Sequence, residues 1–159
     1  MKKNIGILFV FTLTMLTNIS AQEPVFRLKN IDNQWVQYSD LKGEELTLLD
    51  FWATWCQPCL RSIPELNRLY TEFAPLGVSF VGISIDGPRN QSKLKPFVNS
   101  LGVEYFILRD VNSEFMSEMN ISSVPTLVLL DRKGSVVWIH EGFRPGDEEL
   151  IREEIQKHL

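Results

Sequence analysis

Cys56 and Cys59 are the only cysteines in this chain of 159 residues, and two residues separate them. They lie in L-L-D-F-W-A-T-W-C-Q-P-C-L-R-S-I-P, residues 48–64, with Trp52, Trp55 and one acid, Asp50, inside an apolar run. Two thiols so close suit dithiol–disulfide exchange, which needs one thiol that ionises readily and a second to resolve the mixed disulfide. Residues 46–51 read as a buried strand, short and nearly continuous in hydrophobic side chains. From Pro58 onward, the spacing of Leu60, Ile63, Leu66, Leu69, Tyr70 and Phe73 predicts a helix with one apolar face. Cys56 then falls where strand gives way to helix, among N–H groups that have no intrahelical partner. Those groups and the helix dipole favour an anion, so a thiolate at Cys56 is expected to be stabilised. Cys59 lies one turn on, on the same face and within disulfide reach. Pro58 fits a first-turn position, where its missing N–H costs nothing. Cys56 is the expected attacker and Cys59 the resolver.

D-F-W-A-T-W-C-Q-P-C, with V-P-T at residues 124–126, resembles the thioredoxin superfamily. F-R-L-K-N near the start, Y-S-D-L-K-G before the first core strand and a long segment before V-P-T resemble its exported TlpA/ResA-like branch of thiol–disulfide oxidoreductases. The likeness runs from about Pro24 to the C-terminus. It implies a thioredoxin fold: a central mixed sheet flanked by helices, with an N-terminal β-hairpin and an inserted helix-containing segment. It also implies that Asp50 is buried beneath the second cysteine, where desolvation raises its pKa and suits it to move a proton. The residues alone leave a second reading open, a strand-end carboxylate turned to water, because both faces of this strand are apolar. Thioredoxins place a lysine on the neighbouring strand, and residues 78–85 contain none, so the partner of Asp50 is left open. Exported relatives often carry glutamate three residues after the second cysteine; here Ser62 stands there, and that role does not carry over. Glu65, one turn on, reads as a solvated helix residue. The resemblance further makes Pro125 a cis proline facing the disulfide, keeping metals from the thiols, with Val124 offering backbone groups to an extended substrate. Read without it, Pro125 simply begins a strand. Trp52 and Trp55 are expected to pack around the site.

By length the chain is one domain, and 44% hydrophobic residues suffice for a sizeable core. Residues 1–21 have the basic, apolar and small-polar parts of a secretory signal, with cleavage after Ala21 and the thioredoxin-like domain over 22–159. The competing reading is an uncleaved anchor, which the threonines at 12, 14 and 17 and Asn18 disfavour. Without Lys2 and Lys3 the domain has 14 basic and 20 acidic side chains, a formal charge of −6, which argues against nucleic acid. A structural disulfide is the ordinary reading of two cysteines in an exported chain. A bridge closing so short a loop adds little stability, so exchange chemistry is favoured.

Residues 25–28 and 35–38 read as strands of an N-terminal hairpin, and 39–43 as a capped single turn ended by glycine. Residues 78–85, 105–108, 126–130 and 136–140 read as further strands, the last two joined by a turn at 131–134. A polar link at 88–92 leads into a helix whose Pro96 must fall in the first turn or kink it. Residues 113–119 form a short helix with Phe115, Met116 and Met119 inward as core, and 147–159 a closing amphipathic helix with an acidic start. Strands alternating with helices before a final hairpin give an α/β domain.

The expected activity is therefore protein thiol–disulfide exchange without a cofactor, in the periplasm and as a monomer. Gln57 and Pro58 put no charge between the cysteines, which favours a reductant over an oxidant. A reductant outside the cytoplasm needs electrons from a membrane donor. Apocytochrome c is a substrate of relatives, but nothing in these residues singles it out. A copper-handling chaperone of related fold would want a histidine near the thiols, and neither His140 nor His158 fits a motif. Zinc would want about four ligands. An inert interaction domain is disfavoured by the intact C-x-x-C. Peroxidase chemistry would use a lone cysteine in another context, unlike W-C-Q-P-C.

Overall fold

Residues 26–159 are described by a computed structural model; the expected signal at 1–21 and Val25 of the first expected strand lie outside the described residues. The elements run β1 (Arg27–Asn30), β2 (Trp35–Gln37), α1 (Tyr38–Leu41), β3 (Leu46–Trp52), α2 (Gln57–Phe73), β4 (Val78–Ser84), α3 (Gln91–Leu101), β5 (Phe106–Arg109), α4 (Glu114–Glu118), β6 (Thr126–Leu130), β7 (Val136–Glu141) and α5 (Asp147–His158). Seven strands form one mixed sheet in the order β2-β1-β5-β4-β3-β6-β7. The β3–β4 and β4–β5 pairs are parallel, and the other four pairs are antiparallel. This is the expected α/β thioredoxin-like architecture, with the N-terminal hairpin at one edge and β4, α3, β5 and α4 between α2 and V-P-T.

β3 is central because every one of its residues is buried, including Thr47 and Asp50. Its side chains alternate between two cores, as the period of two requires. Leu46, Leu48 and Trp52 pack with Cys59, Ile63, Leu66, Leu69 and Phe73 of α2, Leu94 and Val98 of α3, and Ile151 and Ile155 of α5. Leu49 and Phe51 turn the other way, to Tyr38, Phe115 and Met116. Asp50 shares the face of Leu48 and Trp52, which is the face that α2 covers. Burying Ile63, Leu66, Leu69 and Phe73 contributes roughly 6–12 kcal/mol before chain entropy. That outweighs the interior Pro64, a defect of about 3 kcal/mol, so α2 runs through it.

Several local expectations need correction. β1 begins two residues later than expected, because buried Asn30 closes the hairpin: its Oδ1 accepts from the N–H groups of Asp32 (2.9 Å) and Gln34 (3.0 Å). β4 ends at Ser84 and β5 begins at Phe106, so Ile85 and Tyr105 flank their strands. Of the two placements expected for Pro96, the first turn is excluded: it falls in the second turn of α3, where the helix forgoes a bond to the Ser92 carbonyl, while Leu94 and Val98 hold it against the core. Gly43 does not cap α1, which ends in extended backbone at Lys42. It is glycine because the chain passes too close for a side chain: a Cβ there would lie 2.0 Å from the Leu46 carbonyl oxygen and 2.6 Å from that of Gly77. These are backbone atoms beside the start of β3 and cannot swing aside. Gly43→Ala is therefore expected to destabilise the domain by about 1–3 kcal/mol or more, read as a lower urea midpoint at unchanged slope.

Candidate active site

β3 delivers the chain to Trp52, and Ala53-Thr54-Trp55 turns it into α2. Cys56 is the N-cap residue of α2, in extended backbone conformation. Its Sγ accepts the N–H of Cys59 at 3.2 Å, and its carbonyl accepts that of Leu60 at 3.1 Å. Pro58, the second helical residue, has no N–H to satisfy. The cysteines are joined as a disulfide with their Cα atoms 5.3 Å apart. Cys56 is 5% exposed and Cys59 fully buried, an asymmetry that puts Cys56 on the solvent side.

The turn is pinned by a residue the sequence reading did not single out. Asp86, fully buried just past β4, accepts from the Thr54 N–H (2.9 Å), the Thr54 hydroxyl (2.6 Å) and the Ser84 hydroxyl (2.9 Å). Its own carbonyl takes the Gln91 side-chain amide, which ties the start of α3 to the same point. The available signal was an acid directly after a buried strand, where α/β sheets gather site groups. Thr54 held this way turns Trp55 outward. At 61% exposure Trp55 does not pack around the site as expected; it stands over a cleft of about 260 Å³ with Thr54, Asn90, Lys93 and Phe97. Trp52 is buried, with its indole N–H unpartnered.

Asp50 is 2% exposed, so the water-facing reading is excluded. Across β4 it stands opposite Gly82, which in turn pairs with Ile107 on β5. Gly82 leaves space beside Tyr105 and Ile107: a Cβ there would lie 2.5 Å from Ile107 Cδ1, 3.1 Å from the Tyr105 ring and 3.2 Å from the Trp52 indole nitrogen. The Tyr105 hydroxyl donates to Asp50 Oδ2 at 3.0 Å, while Oδ1 has no partner. Tyr105 thus occupies the place left open when no lysine was found on β4. Sequence could not find it, because only the β3–β4–β5 register brings it to Asp50. Burial pushes the Asp50 carboxyl up to about 7, against the opposing effect of the Tyr105 hydrogen bond. Burial and the adjoining carboxylate push the Tyr105 phenol well above its usual range.

Ser62 is buried and donates back to the Cys59 carbonyl at 2.8 Å. Glu65 is partly exposed and pairs with Arg68. Val124 and Pro125 immediately precede β6, whose Thr126 pairs with Phe51 near the end of β3. The Val124–Pro125 peptide is cis, and the Pro125 carbonyl accepts from Gly142 at 2.8 Å. Both histidines face carboxylates, His140 with Asp147 and His158 with Glu154.

Two predictions follow from these buried acids. Asp50 has a folded pKa of about 7 against an ordinary value of 3.8, so the fold favours its neutral form. Stability is undiminished below the lower value, falls as pH rises between them, and levels off above the higher one. Asp50→Asn is therefore expected to gain on the parent by on the order of 4 kcal/mol between pH 4 and pH 8, measured by paired urea melts. A gain independent of pH would contradict the burial of an uncompensated carboxyl. Asp86→Ala leaves Thr54 and Ser84 donors without an acceptor and is expected to cost on the order of 3 kcal/mol in the same melts.

Comparison with known proteins agrees with this geometry. The profile of the AhpC/TSA family matches residues 19–139. The thiol-disulfide oxidoreductase ResA of Bacillus thuringiensis strain Al Hakam is 28% identical over 141 residues, covering 89% of this chain and 74% of that one. The crystal structure of a putative thiol:disulfide interchange protein DsbE from Chlorobium tepidum superposes with a TM-score of 0.79 at 29% identity, covering 87% and 96% of the two chains. The solution structure of a thioredoxin-like protein from Porphyromonas gingivalis does so with a TM-score of 0.71 at 33% identity, covering 88% and 93%. With a closed C-x-x-C disulfide at the β3–α2 junction of this sheet, the chain belongs to the AhpC/TSA family, among its thioredoxin-like members of the TlpA/ResA type.

Proposed function

We propose that this chain, a thiol–disulfide oxidoreductase, works as a reductant of disulfides in exported proteins. The observation that carries the reading is the asymmetry of the pair. Cys56, at the helix N-terminus and on the solvent side, attacks the substrate disulfide and forms a mixed disulfide with one of its sulfurs. Cys59, buried one turn below, then attacks the Cys56 sulfur, the substrate thiolate leaves and the internal disulfide closes. The dithiol loses two electrons and the substrate disulfide gains them. Asp50, on the face that α2 covers, takes the Cys59 proton before this attack.

The direction rests on charge. Gln57 and Pro58, between the cysteines, supply no basic group that would hold the reduced form as a strongly stabilised thiolate. Among the described residues Val124 makes none of the loop backbone hydrogen bonds, which supports a role for its backbone groups in pairing with an extended substrate strand beside Pro125. Trp55, next to Cys56 in the chain, offers an exposed ring. The reading places the protein in the periplasm as a monomer, re-reduced by a membrane electron donor, with residues 1–21 as its export signal. Among the described residues no helix is long and apolar enough to cross a membrane.

The test is reduction of insulin disulfides by the reduced protein. Cys56→Ser is expected to abolish turnover. Cys59→Ser is expected to accumulate a mixed disulfide with substrate, because attack survives and resolution does not. Trapping by Cys56→Ser in place of Cys59→Ser would reverse the roles. Direction is read from the equilibrium of the pair against glutathione: a reductant stays oxidised at glutathione ratios that keep an oxidant's pair reduced.

A further inference from the structure

The mechanism above uses one oxygen of Asp50 and leaves Tyr105 without a task. Tyr105 precedes β5, two strands away from β3, yet its hydroxyl reaches Asp50 Oδ2 at 3.0 Å with both side chains buried. Gly82 leaves space beside it, since a side chain there would crowd Ile107, the Tyr105 ring and the Trp52 indole. Oδ1 of the same carboxyl, buried and without a hydrogen-bond partner, is the oxygen left over. A carboxyl held by one oxygen cannot rotate freely about its Cβ–Cγ bond, so the two oxygens take different roles.

We propose that Tyr105 is a positioning residue for resolution of the mixed disulfide: it holds Oδ2 and so presents Oδ1 as the atom that takes the Cys59 proton. The inference rests on the reading of Asp50 as that acceptor. In the step, the proton passes from Cys59 Sγ to Oδ1 and the Cys59 thiolate attacks Cys56 Sγ. The Cys56–substrate bond breaks, the substrate leaves as a thiolate and the Cys56–Cys59 bond forms. The phenol keeps its own proton throughout, and its hydrogen bond favours the ionised acceptor beforehand.

β4 and β6, on either side of β3, contribute no ionisable group on their strand spans. α2 and its N-cap contribute the two cysteines and, at the margin, Tyr70, whose ring packs edge-on to that of Tyr105, while Arg61, Glu65, Arg68 and Glu72 of the helix are not buried. With the disulfide closed, burial raises the Asp50 carboxyl and the Tyr105 hydrogen bond opposes it.

The experiment is a single-turnover measurement of resolution. A glutathione mixed disulfide at Cys56 is followed from pH 5 to pH 9 in the parent, in Tyr105→Phe, in Asp50→Asn and in the double variant. The parent rate is expected to rise through an inflection near the Asp50 value of about 7. Tyr105→Phe is expected to move that inflection upward, slowing resolution at pH 7 by roughly five- to tenfold while largely recovering at pH 9. In the Asp50→Asn background the inflection is absent, and adding Tyr105→Phe should change nothing further. A merely structural phenol would slow resolution equally at every pH, or would slow the Asp50→Asn protein too. Either result overturns the proposal, as does a Tyr105→Phe profile that superposes on the parent's.

If Tyr105→Phe does not fold, the carboxyl carbon of Asp50 and the ring carbons of Tyr105 are followed by NMR in the parent. A shared midpoint supports the proposal, and a Tyr105 signal insensitive to the Asp50 titration overturns it. The broader functional reading fails separately, if Cys56→Ser still reduces insulin.

Discussion

The seam between β3 and α2 is the contact on which the site depends. One strip of apolar side chains, Leu46, Leu48 and Trp52 on the strand against Ile63, Leu66 and Leu69 on the helix, fixes the distance and angle between them. The helix must then start where the strand ends, and the residue at that corner is Cys56. Orphan N–H groups, a dipole end and partial access to solvent all converge there as a consequence of packing. The same seam takes Cys59 out of solvent. The asymmetry of the two sulfurs thus comes from where the helix begins.

Three carboxylates are buried among the described residues, and they are buried on different terms. Asp86 accepts from Thr54 and Ser84, and Asp110 from the N–H groups of Phe115 and Met116 at the start of α4. Each is surrounded by donors that replace the water it has lost. Asp50 has one donor and a bare second oxygen. Two acids therefore serve as structural anchors, one for the active-site turn and one for α4. The third is left under-solvated beneath the helix that bears the dithiol, where a carboxyl with a pKa near neutrality can exchange a proton. The stability forgone at Asp50 is the kind of local cost that a packed core can absorb and a reactive site can use.

Much of this was legible in the chain itself. The apolar run of β3, the periodicity of α2 and the W-C-Q-P-C junction are local patterns, set by side-chain type and by the two backbone periods. They determined which segments form strand and helix, placed Cys56 at a helix start and Cys59 one turn inward, and identified the chemistry. The cis peptide before Pro125 was expected by resemblance alone, because nothing local distinguishes it from a proline that opens a strand.

Tertiary structure decided what local pattern could not. Alternation could not orient Asp50 in a strand apolar on both faces; the placement of α2 did. Tyr105 and Gly82 lie 55 and 32 residues from Asp50 in sequence and meet it only through the register of three strands. Asp86 reaches Thr54 in the same way. Gly43 looked like a helix cap and proved to be a point of backbone contact, and Trp55 looked like packing and proved to be surface. In each case the deciding force acts between residues far apart along the chain. A hydrogen bond or a steric contact between strands depends on register, and register is set only when the whole sheet has closed.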